Sequence, residues 1–230
     1  MTTFTRIRIN PRHRAARHAL ASNERIHAIV QRAAASGSPD ANQPRTLWRL
    51  DPGHATHALY IVSDDYVNAA VIQEQFGAEL SDIATCSYDP FLGQLATGQQ
   101  WRFRLKANPT KSIGSRQPGI RGKRIPITKQ DEQIEWLTRQ ASRCGFHIPI
   151  NRLDVPEVIV RDSGAVSFMR QDRQVTLHSA IFDGFLAIDD PAAFRQALVT
   201  GIGRGRGYGF GLLTIVPVPR PASDDAATEA

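Results

Sequence analysis

Residues 201–211 place a glycine at every second position, with Arg204 and Arg206 between the glycines. Glycine permits positive φ angles and lets the main chain approach a ligand closely. Arginine side chains and exposed backbone N–H groups are suited to binding phosphate. The apolar run 212–216 follows at once and is typical of a buried strand, so we expect a phosphate-binding loop that is anchored to a sheet. A flexible glycine linker is the alternative.

His27 is the second group whose side chain could do chemistry, because an imidazole can give or take a proton near neutral pH. Ile26, Ile29, Val30 and Ala33 recur at helical spacing and predict a helix whose apolar stripe faces a sheet. His27 lies about 100° around that helix from Ile26, at the edge of the stripe, where it can reach a ligand. An incidental surface histidine is the alternative.

Charged residues are segregated along the chain, which has a formal net charge of +6. Residues 1–50 hold nine arginines against two acidic residues, and residues 101–129 hold nine lysines and arginines and no acidic residue. Residues 51–100 hold seven acidic residues and no lysine or arginine. This segregation predicts a surface that meets a polyanion, with nucleic acid as the leading candidate. A basic surface that serves only solubility is the alternative.

Several classes of protein and site are not expected. The two cysteines lack CxxC spacing, which argues against a disulfide framework or a structural zinc site. No signal peptide or long apolar run is present, so we expect a cytoplasmic protein that does not contact a membrane. His54 and His57 lie three residues apart, but no cysteine or carboxylate cluster completes a metal site. We therefore expect neither a metal ion nor a cofactor.

The apolar periodicity predicts an α+β fold of two tandem ferredoxin-like (RRM-like) βαββαβ domains, covering residues 1–92 and 93–217, with a disordered tail at 218–230. In the first half we expect Asp64 and Asp65 to cap the second helix. In the second half we expect a basic loop over residues 111–123 and a turn at residues 162–164 between two strands.

The motifs taken together resemble the CasE family, the CRISPR-associated endoribonuclease of the type I-E Cascade complex. The resemblance covers nearly the whole chain up to Val216, and the family's tandem ferredoxin-like fold agrees with the predicted one. It rests on Asn10-Pro11, Arg14-Ala15-Ala16-Arg17, His27, Leu47-Trp48-Arg49-Leu50, residues 103–111, Phe182-Asp183-Gly184, and the glycine-rich residues 201–213.

The resemblance implies a metal-independent cleavage in which the ribose 2′-OH attacks the adjacent phosphate and leaves a 2′,3′-cyclic phosphate and a 5′-OH. His27 matches the family's catalytic histidine and would act as general acid or base. Members of the family can carry a tyrosine three residues before this histidine, whereas this sequence has Glu24. We expect Glu24 to be catalytic beside His27, because a glutamate there can stabilise the imidazolium. It cannot donate a proton while ionised, so it would play a different part from the tyrosine.

The resemblance also implies binding of a CRISPR repeat hairpin and assembly with other Cascade subunits. Double-stranded RNA presents phosphates and shape more than base edges, so cationic side chains should dominate the contacts. A non-cleaving RNA-binding subunit and, more remotely, a small-molecule phosphate-binding enzyme are the alternatives. The residues that we expect to bind RNA are Arg14, Arg17, Lys111, Arg170, Arg173, Arg204 and Arg206.

Overall fold

A computed structural model describes residues 1–35, 46–114, 123–170 and 173–218 of the chain. The first half contains the elements β1 (Thr3–Ile9), α1 (Arg14–Leu20), α2 (Asn23–Ala34), β2 (Leu47–Asp51), β3 (His57–Ser63), α3 (Ala69–Phe76) and β4 (Ile83–Ser87). The four strands pair antiparallel in the order β2-β3-β1-β4. This element order and pairing form the ferredoxin-like unit that the periodicity predicted.

The second half repeats this plan with three additional short strands, β6, β7 and β8 of the elements given next. Its elements are β5 (Gln100–Ala107), β6 (Thr110–Ile113), β7 (Lys123–Pro126), α5 (Gln130–Arg143), β8 (Phe146–His147), β9 (Val158–Arg170), β10 (Arg173–Ile188), α6 (Pro191–Thr200) and β11 (Leu213–Pro217), and α4 (Asp89–Gly93) precedes them. The sheet runs β11-β5-β10-β8, β9 also pairs with β10, and β6 and β7 form a separate two-stranded sheet. The α+β fold with two ferredoxin-like units is therefore confirmed.

Two apolar cores lie within this framework. One packs α1, α2 and α3 against the first sheet, with Ile7 and Ile26 among its fully buried members. The other fills the second half and also takes in Leu47 and Val62 of the first sheet. Because the first sheet contributes side chains to both cores, burial of apolar surface joins the two halves.

The cap of α3 differs from the prediction. The side-chain oxygen of Asn68 accepts hydrogen bonds from the backbone N–H groups of Ala70 (3.0 Å) and Val71 (3.4 Å). Asn68 directly precedes the first helical residue, so its short side chain reaches these unpaired N–H groups. Asp64 and Asp65 lie too far upstream to do so.

The predicted turn at residues 162–164 is instead a β-bulge inside the continuous strand β9. Gly164 pairs with Ser179 and Arg161 pairs with Ile181, so two residues of β9 lie opposite the single residue Ala180. Asp162 has a φ angle of 46°, the left-handed conformation that aspartate tolerates. The Asp-Ser-Gly sequence therefore marks a bulge, and β9 continues to Arg170.

The basic segment 111–123 begins in strand β6 rather than in a loop, and β7 follows it as an antiparallel partner. Residues 115–122 and all of the predicted tail except Val218 lie outside the described residues. Among the helices that the structure describes, none has the length and apolar character of a membrane span.

Candidate functional site

The glycine-rich segment 201–211 is a closed, hydrogen-bonded loop. The N–H of Ile202 donates to the carbonyl oxygen of Gly211 at 2.9 Å, and the N–H of Gly211 donates to the carbonyl oxygen of Lys106 in β5 at 2.7 Å. A short 3₁₀ helix, Arg206–Tyr208, lies between these ends. The loop is thus fixed to the second sheet, as predicted, and is not a flexible linker.

Packing against the first half explains why glycine is required at two of these positions. Gly209 has a φ angle of 82°, and a Cβ atom there would lie 2.6 Å from Cζ3 of Trp48. A Cβ atom at Gly201 would lie 2.9 Å from Cδ2 of Leu47. Such distances are shorter than van der Waals contact, so only glycine lets the loop approach β2. These two glycines therefore allow the loop to pack against the first half of the protein.

The same loop meets His27. Helix α2 begins after Ser22, whose side chain caps it by accepting a hydrogen bond from the N–H of Arg25 at 3.2 Å. One turn before His27, the Asn23 side chain donates to the carbonyl oxygen of Tyr208 at 3.2 Å. The Asn23 contact holds the amino-terminal turn of α2 against the loop of the second half.

The His27 imidazole faces the loop residues Gly207 and Tyr208. A Cβ atom at position 207 would lie 3.4 Å from His27 Cε1 and 3.5 Å from Nε2. The Tyr208 ring centroid lies 6.2 Å from that of the imidazole, with the two planes tilted by 52°. His27 is half-buried, so the ring is held by its neighbours and still reaches the surface.

Glu24 lies one turn before His27 on the same helix and is half-buried. Within the described part of the chain, its carboxylate forms no hydrogen bond or ion pair. Arg14 and Arg17 lie on the exposed face of α1, whose other face buries Ala16 and Ala19. The two arginines are near His27 in sequence, but they do not line the cleft described next.

Six cationic side chains converge on one cleft of about 430 Å³, which we call the basic cleft. Residues from β6, β7, α5 and the glycine-rich loop form its walls. Its lysine and arginine residues are Lys111, Arg124, Arg139, Arg143, Arg204 and Arg206. This concentration of positive charge suits a polyanion. Three of the seven predicted RNA-binding residues, Lys111, Arg204 and Arg206, therefore lie together.

Two ion pairs moderate the charge of the basic cleft. The ammonium of Lys111 contacts the carboxylate of Glu132, and this hydrogen bond holds the pKa of Glu132 below its ordinary value. Arg139 lies 3.7 Å from Glu135 on the same exposed helix face. Such exposed pairs are weak and break readily, so both cations can be redirected to a phosphate.

Arg124, Arg139 and Arg143 were missed by the sequence reasoning. Arg139 and Arg143 are four residues apart on α5, on the side opposite the buried Leu137 and Ala141. Two arginines at i and i+4 on the polar face of an amphipathic helix were a visible signal. The sequence alone does not predict that this face of α5 lies beside the glycine-rich loop.

The β9–β10 hairpin borders the site from another direction. The backbones of Arg170 and Arg173 pair at its end, and their side chains lie outside the described residues. Further along β9, the Phe168 ring packs on Tyr208 with centroids 4.5 Å apart. A groove of about 420 Å³, which we call the hairpin groove, runs between this hairpin, β6–β7 and the loop, and Tyr208, Arg124 and Arg204 line it.

A larger cavity of about 890 Å³ lies elsewhere, around an ion-pair network. Arg49 binds Asp51 through two hydrogen bonds of 2.8 and 3.0 Å. Arg104 binds Asp183 at 2.6 and 2.8 Å, and these contacts raise the pKa of the Arg104 guanidinium. None of the predicted RNA-binding residues within the described part of the chain lines this cavity. Because Arg49, Arg104 and Arg161 are already paired with Asp51 or Asp183, it is a poor site for a polyanion.

Comparison with known proteins places the chain in a family. A family model described as CRISPR associated protein matches residues 4–217. The CRISPR-associated endoribonuclease Cse3 of Thermus thermophilus is 26% identical over 207 residues, covering 87% of this chain and 92% of Cse3. The CRISPR system Cascade subunit CasE of Escherichia coli is 30% identical over 116 residues, covering 48% of this chain and 54% of CasE.

A solved structure agrees with this assignment. Thermus thermophilus Cse3 bound to an RNA representing a pre-cleavage complex matches with a TM-score of 0.79 and 27% identity, covering 94% of this chain and 99% of that one. The family match spans both ferredoxin-like units, from β1 to the end of β11. This chain therefore belongs to the CRISPR-associated protein family that includes Cse3 and CasE.

Proposed function

We propose that this protein is an endoribonuclease that cuts precursor CRISPR RNA within its repeats and remains bound to the product as a subunit of a cytoplasmic Cascade complex. One observation carries the proposal. The His27 imidazole lies against Gly207, in the same loop that carries Arg204 and Arg206 into the basic cleft. A group that can move a proton is thus fixed beside a surface that can hold a phosphate backbone.

The geometry suits cleavage by the neighbouring ribose. In that reaction the 2′-oxygen attacks the phosphorus, the bond to the 5′-oxygen breaks, and the products carry a 2′,3′-cyclic phosphate and a 5′-OH. The reaction needs alignment of the two oxygens with the phosphorus, movement of protons, and stabilisation of the negative phosphorane. His27 would move a proton, while Arg204 and Arg206 would bind the flanking phosphates.

Binding would extend from the loop along the basic surface. Lys111 and Arg143 line the basic cleft, and Arg124 lines both that cleft and the hairpin groove. Arg170 and Arg173, at the end of the β9–β10 hairpin, and Arg14 and Arg17 on α1 would add contacts to the stem. A-form RNA is recognised mainly through phosphates and shape, which agrees with a surface dominated by arginine.

A non-cleaving RNA-binding subunit is the second candidate, and Glu24 is the observation that favours it. An ionised glutamate cannot donate a proton, so a site that combined His27 with Glu24 alone would lack an acid for the second proton transfer. That candidate predicts tight binding of the repeat hairpin without cleavage.

Product analysis separates the two candidates. The protein is incubated in EDTA with a repeat RNA taken from the CRISPR array nearest its gene, and the ends of any fragments are identified by mass spectrometry. The endoribonuclease proposal predicts one cut with a 2′,3′-cyclic phosphate and a 5′-OH. RNA that is bound but stays intact would contradict it, and a cut that requires a divalent metal would contradict the mechanism.

A further inference from the structure

Cleavage by a 2′-OH requires the transfer of two protons. The inference below concerns the proton that reaches the leaving group, and it rests on the proposed endoribonuclease function. One proton leaves the attacking 2′-oxygen, and another must reach the departing 5′-oxygen, because an alkoxide is a poor leaving group at neutral pH. A single imidazole that takes the first proton is not free to give the second from the same position. A second group beside His27 that donates this proton would therefore accelerate the reaction.

Tyr208 is placed to be that group. Its ring lies 6.2 Å from the His27 ring and 4.5 Å from the Phe168 ring, so it is held between α2 and the β9–β10 hairpin. Its backbone is fixed by the hydrogen bond from Asn23 and by another from its own N–H to the carbonyl oxygen of Gly205 at 2.8 Å. The position of the phenol is therefore set by both halves of the protein.

The Tyr208 side chain also reaches substrate space. It is half-buried and lines the hairpin groove together with Arg124 and Arg204, two candidate phosphate ligands. Within the described part of the chain, its hydroxyl forms no hydrogen bond. A phosphate that is held by these arginines would bring its ester oxygens close to the phenol.

Two other ionisable side chains near the site are less suitable as proton donors. Glu24 lies one turn from His27, but a carboxylate has no proton to give at neutral pH. His178 lines the hairpin groove, but its Nε2 atom lies 3.1 Å from Ser163 Oγ and 3.3 Å from Gln133 Nε2, and burial lowers its pKa. A phenol keeps its proton at neutral pH and can donate it.

We propose that the Tyr208 hydroxyl donates a proton to the departing 5′-oxygen while His27 accepts the proton of the attacking 2′-OH. The O2′–P bond forms as the P–O5′ bond breaks. The imidazole ends the step as imidazolium and the phenol as phenolate. Transfer of a proton from imidazolium to phenolate, directly or through water, then restores both groups and balances the reaction.

The test uses Tyr208→Phe, which keeps the ring packing and removes only the hydroxyl. Tyr66→Phe is the matched control, because Tyr66 is exposed and lines neither the basic cleft nor the hairpin groove. Single-turnover cleavage by Tyr208→Phe should be at least about 10²-fold slower than by wild type, with repeat RNA affinity changed by less than about threefold. Tyr66→Phe should cleave as wild type does.

A second substrate identifies the role of the hydroxyl. In repeat RNA whose departing 5′-oxygen is replaced by sulfur, the leaving group is a thiolate that needs no proton. Tyr208→Phe should cut this RNA within about threefold of the wild-type rate, whereas His27→Ala should stay slow because its proton acceptor is missing.

The outcomes separate this inference from the function on which it rests. If wild type leaves normal repeat RNA intact, the endoribonuclease proposal fails. If wild type cuts and Tyr208→Phe cuts equally fast, only the role of Tyr208 is wrong. If Tyr208→Phe is slow on both substrates, the tyrosine positions the site and is not the proton donor, which also overturns this inference.

Discussion

Arg49 of the first sheet donates a hydrogen bond of 3.0 Å to the carbonyl oxygen of Leu212, directly after the glycine-rich loop of the second half. The same guanidinium donates to the carbonyl oxygen of Arg104 at 2.9 Å and to the Thr214 hydroxyl at 2.8 Å, while it also pairs with Asp51. The side chain is 2% exposed. This buried arginine therefore joins the two ferredoxin-like units next to the segment that faces His27.

Replacement of Arg49 by methionine should destabilise the protein strongly. Removal of Arg49 takes from Asp51 its nearest cation and leaves the carbonyl oxygens of Arg104 and Leu212 without this donor. Breaking a buried ion pair in this way costs about 3–5 kcal/mol. Urea unfolding measures the change. Arg8→Met is the control, because Arg8 pairs with Asp82 at 3.1 Å on the surface, where about 0–1 kcal/mol is expected. Equal losses in the two variants would show that Arg49 does not join the units.

Replacement of Gly209 by alanine tests the packing of the loop against Trp48. A left-handed backbone costs a non-glycine residue about 1–2 kcal/mol, and overpacking adds about 1–3 kcal/mol. Gly98→Ala is a close control, because Gly98 has the same φ angle of 82° and no atom within 4 Å of its Cβ position. The free energy of unfolding should fall further for Gly209→Ala. If the two variants lose the same amount, the contact with Trp48 imposes no constraint.

The basic cleft should determine how RNA affinity depends on salt. Each phosphate contact that is lost should reduce the slope of log K against log salt by about one. We expect this change for Arg204→Ala and for Arg143→Ala. Titration of the protein with repeat RNA at salt concentrations between about 50 and 300 mM measures the slope. Arg152→Ala, an exposed arginine between β8 and β9, should keep the wild-type slope. A wild-type slope in both cleft variants would place the RNA elsewhere.

The lowered pKa of His178 should make the stability of the protein depend on pH. Burial lowers its pKa, so the folded protein binds fewer protons at this site than the unfolded chain does. The resulting stability is present above the ordinary pKa of histidine and is lost as the pH falls through the lowered value. Melting temperatures between pH 7.5 and 4.5 should therefore fall less for His178→Asn than for wild type. His54→Asn is the control for loss of an imidazole, because His54 is exposed. If the melting temperatures of wild type and His178→Asn depend on pH in the same way, the prediction is wrong.

Much of the fold could be predicted because its signals are local. Apolar residues at helical spacing located α2, and alternation of apolar and basic residues located β1 and β5. The errors arose where pairing between distant segments outweighs a local signal. Asp162 and Gly164 are typical turn residues, yet strand pairing with β10 keeps them in β9 and accommodates the additional residue as a bulge.

The candidate site could be predicted only in part, for the same reason. His27 and the glycine-rich loop could each be identified by residue type. The alternating glycines predicted a phosphate-binding loop, whereas Gly209 packs against Trp48, which is distant in the sequence. The ring contact between His27 and Tyr208 joins the two units and has no local signature. Contacts of this kind are set by how the two sheets pack against each other.

The most direct measurement of the central claim is the single-turnover rate at which His27→Ala cuts repeat RNA, together with its affinity for that RNA. If His27 moves a proton at the cut, the rate should fall by at least about 10²-fold. Affinity should stay within about threefold of wild type, because the cations of the basic cleft are unchanged. Cleavage at the wild-type rate by His27→Ala would contradict the claim that the chemistry takes place where helix α2 meets the glycine-rich loop.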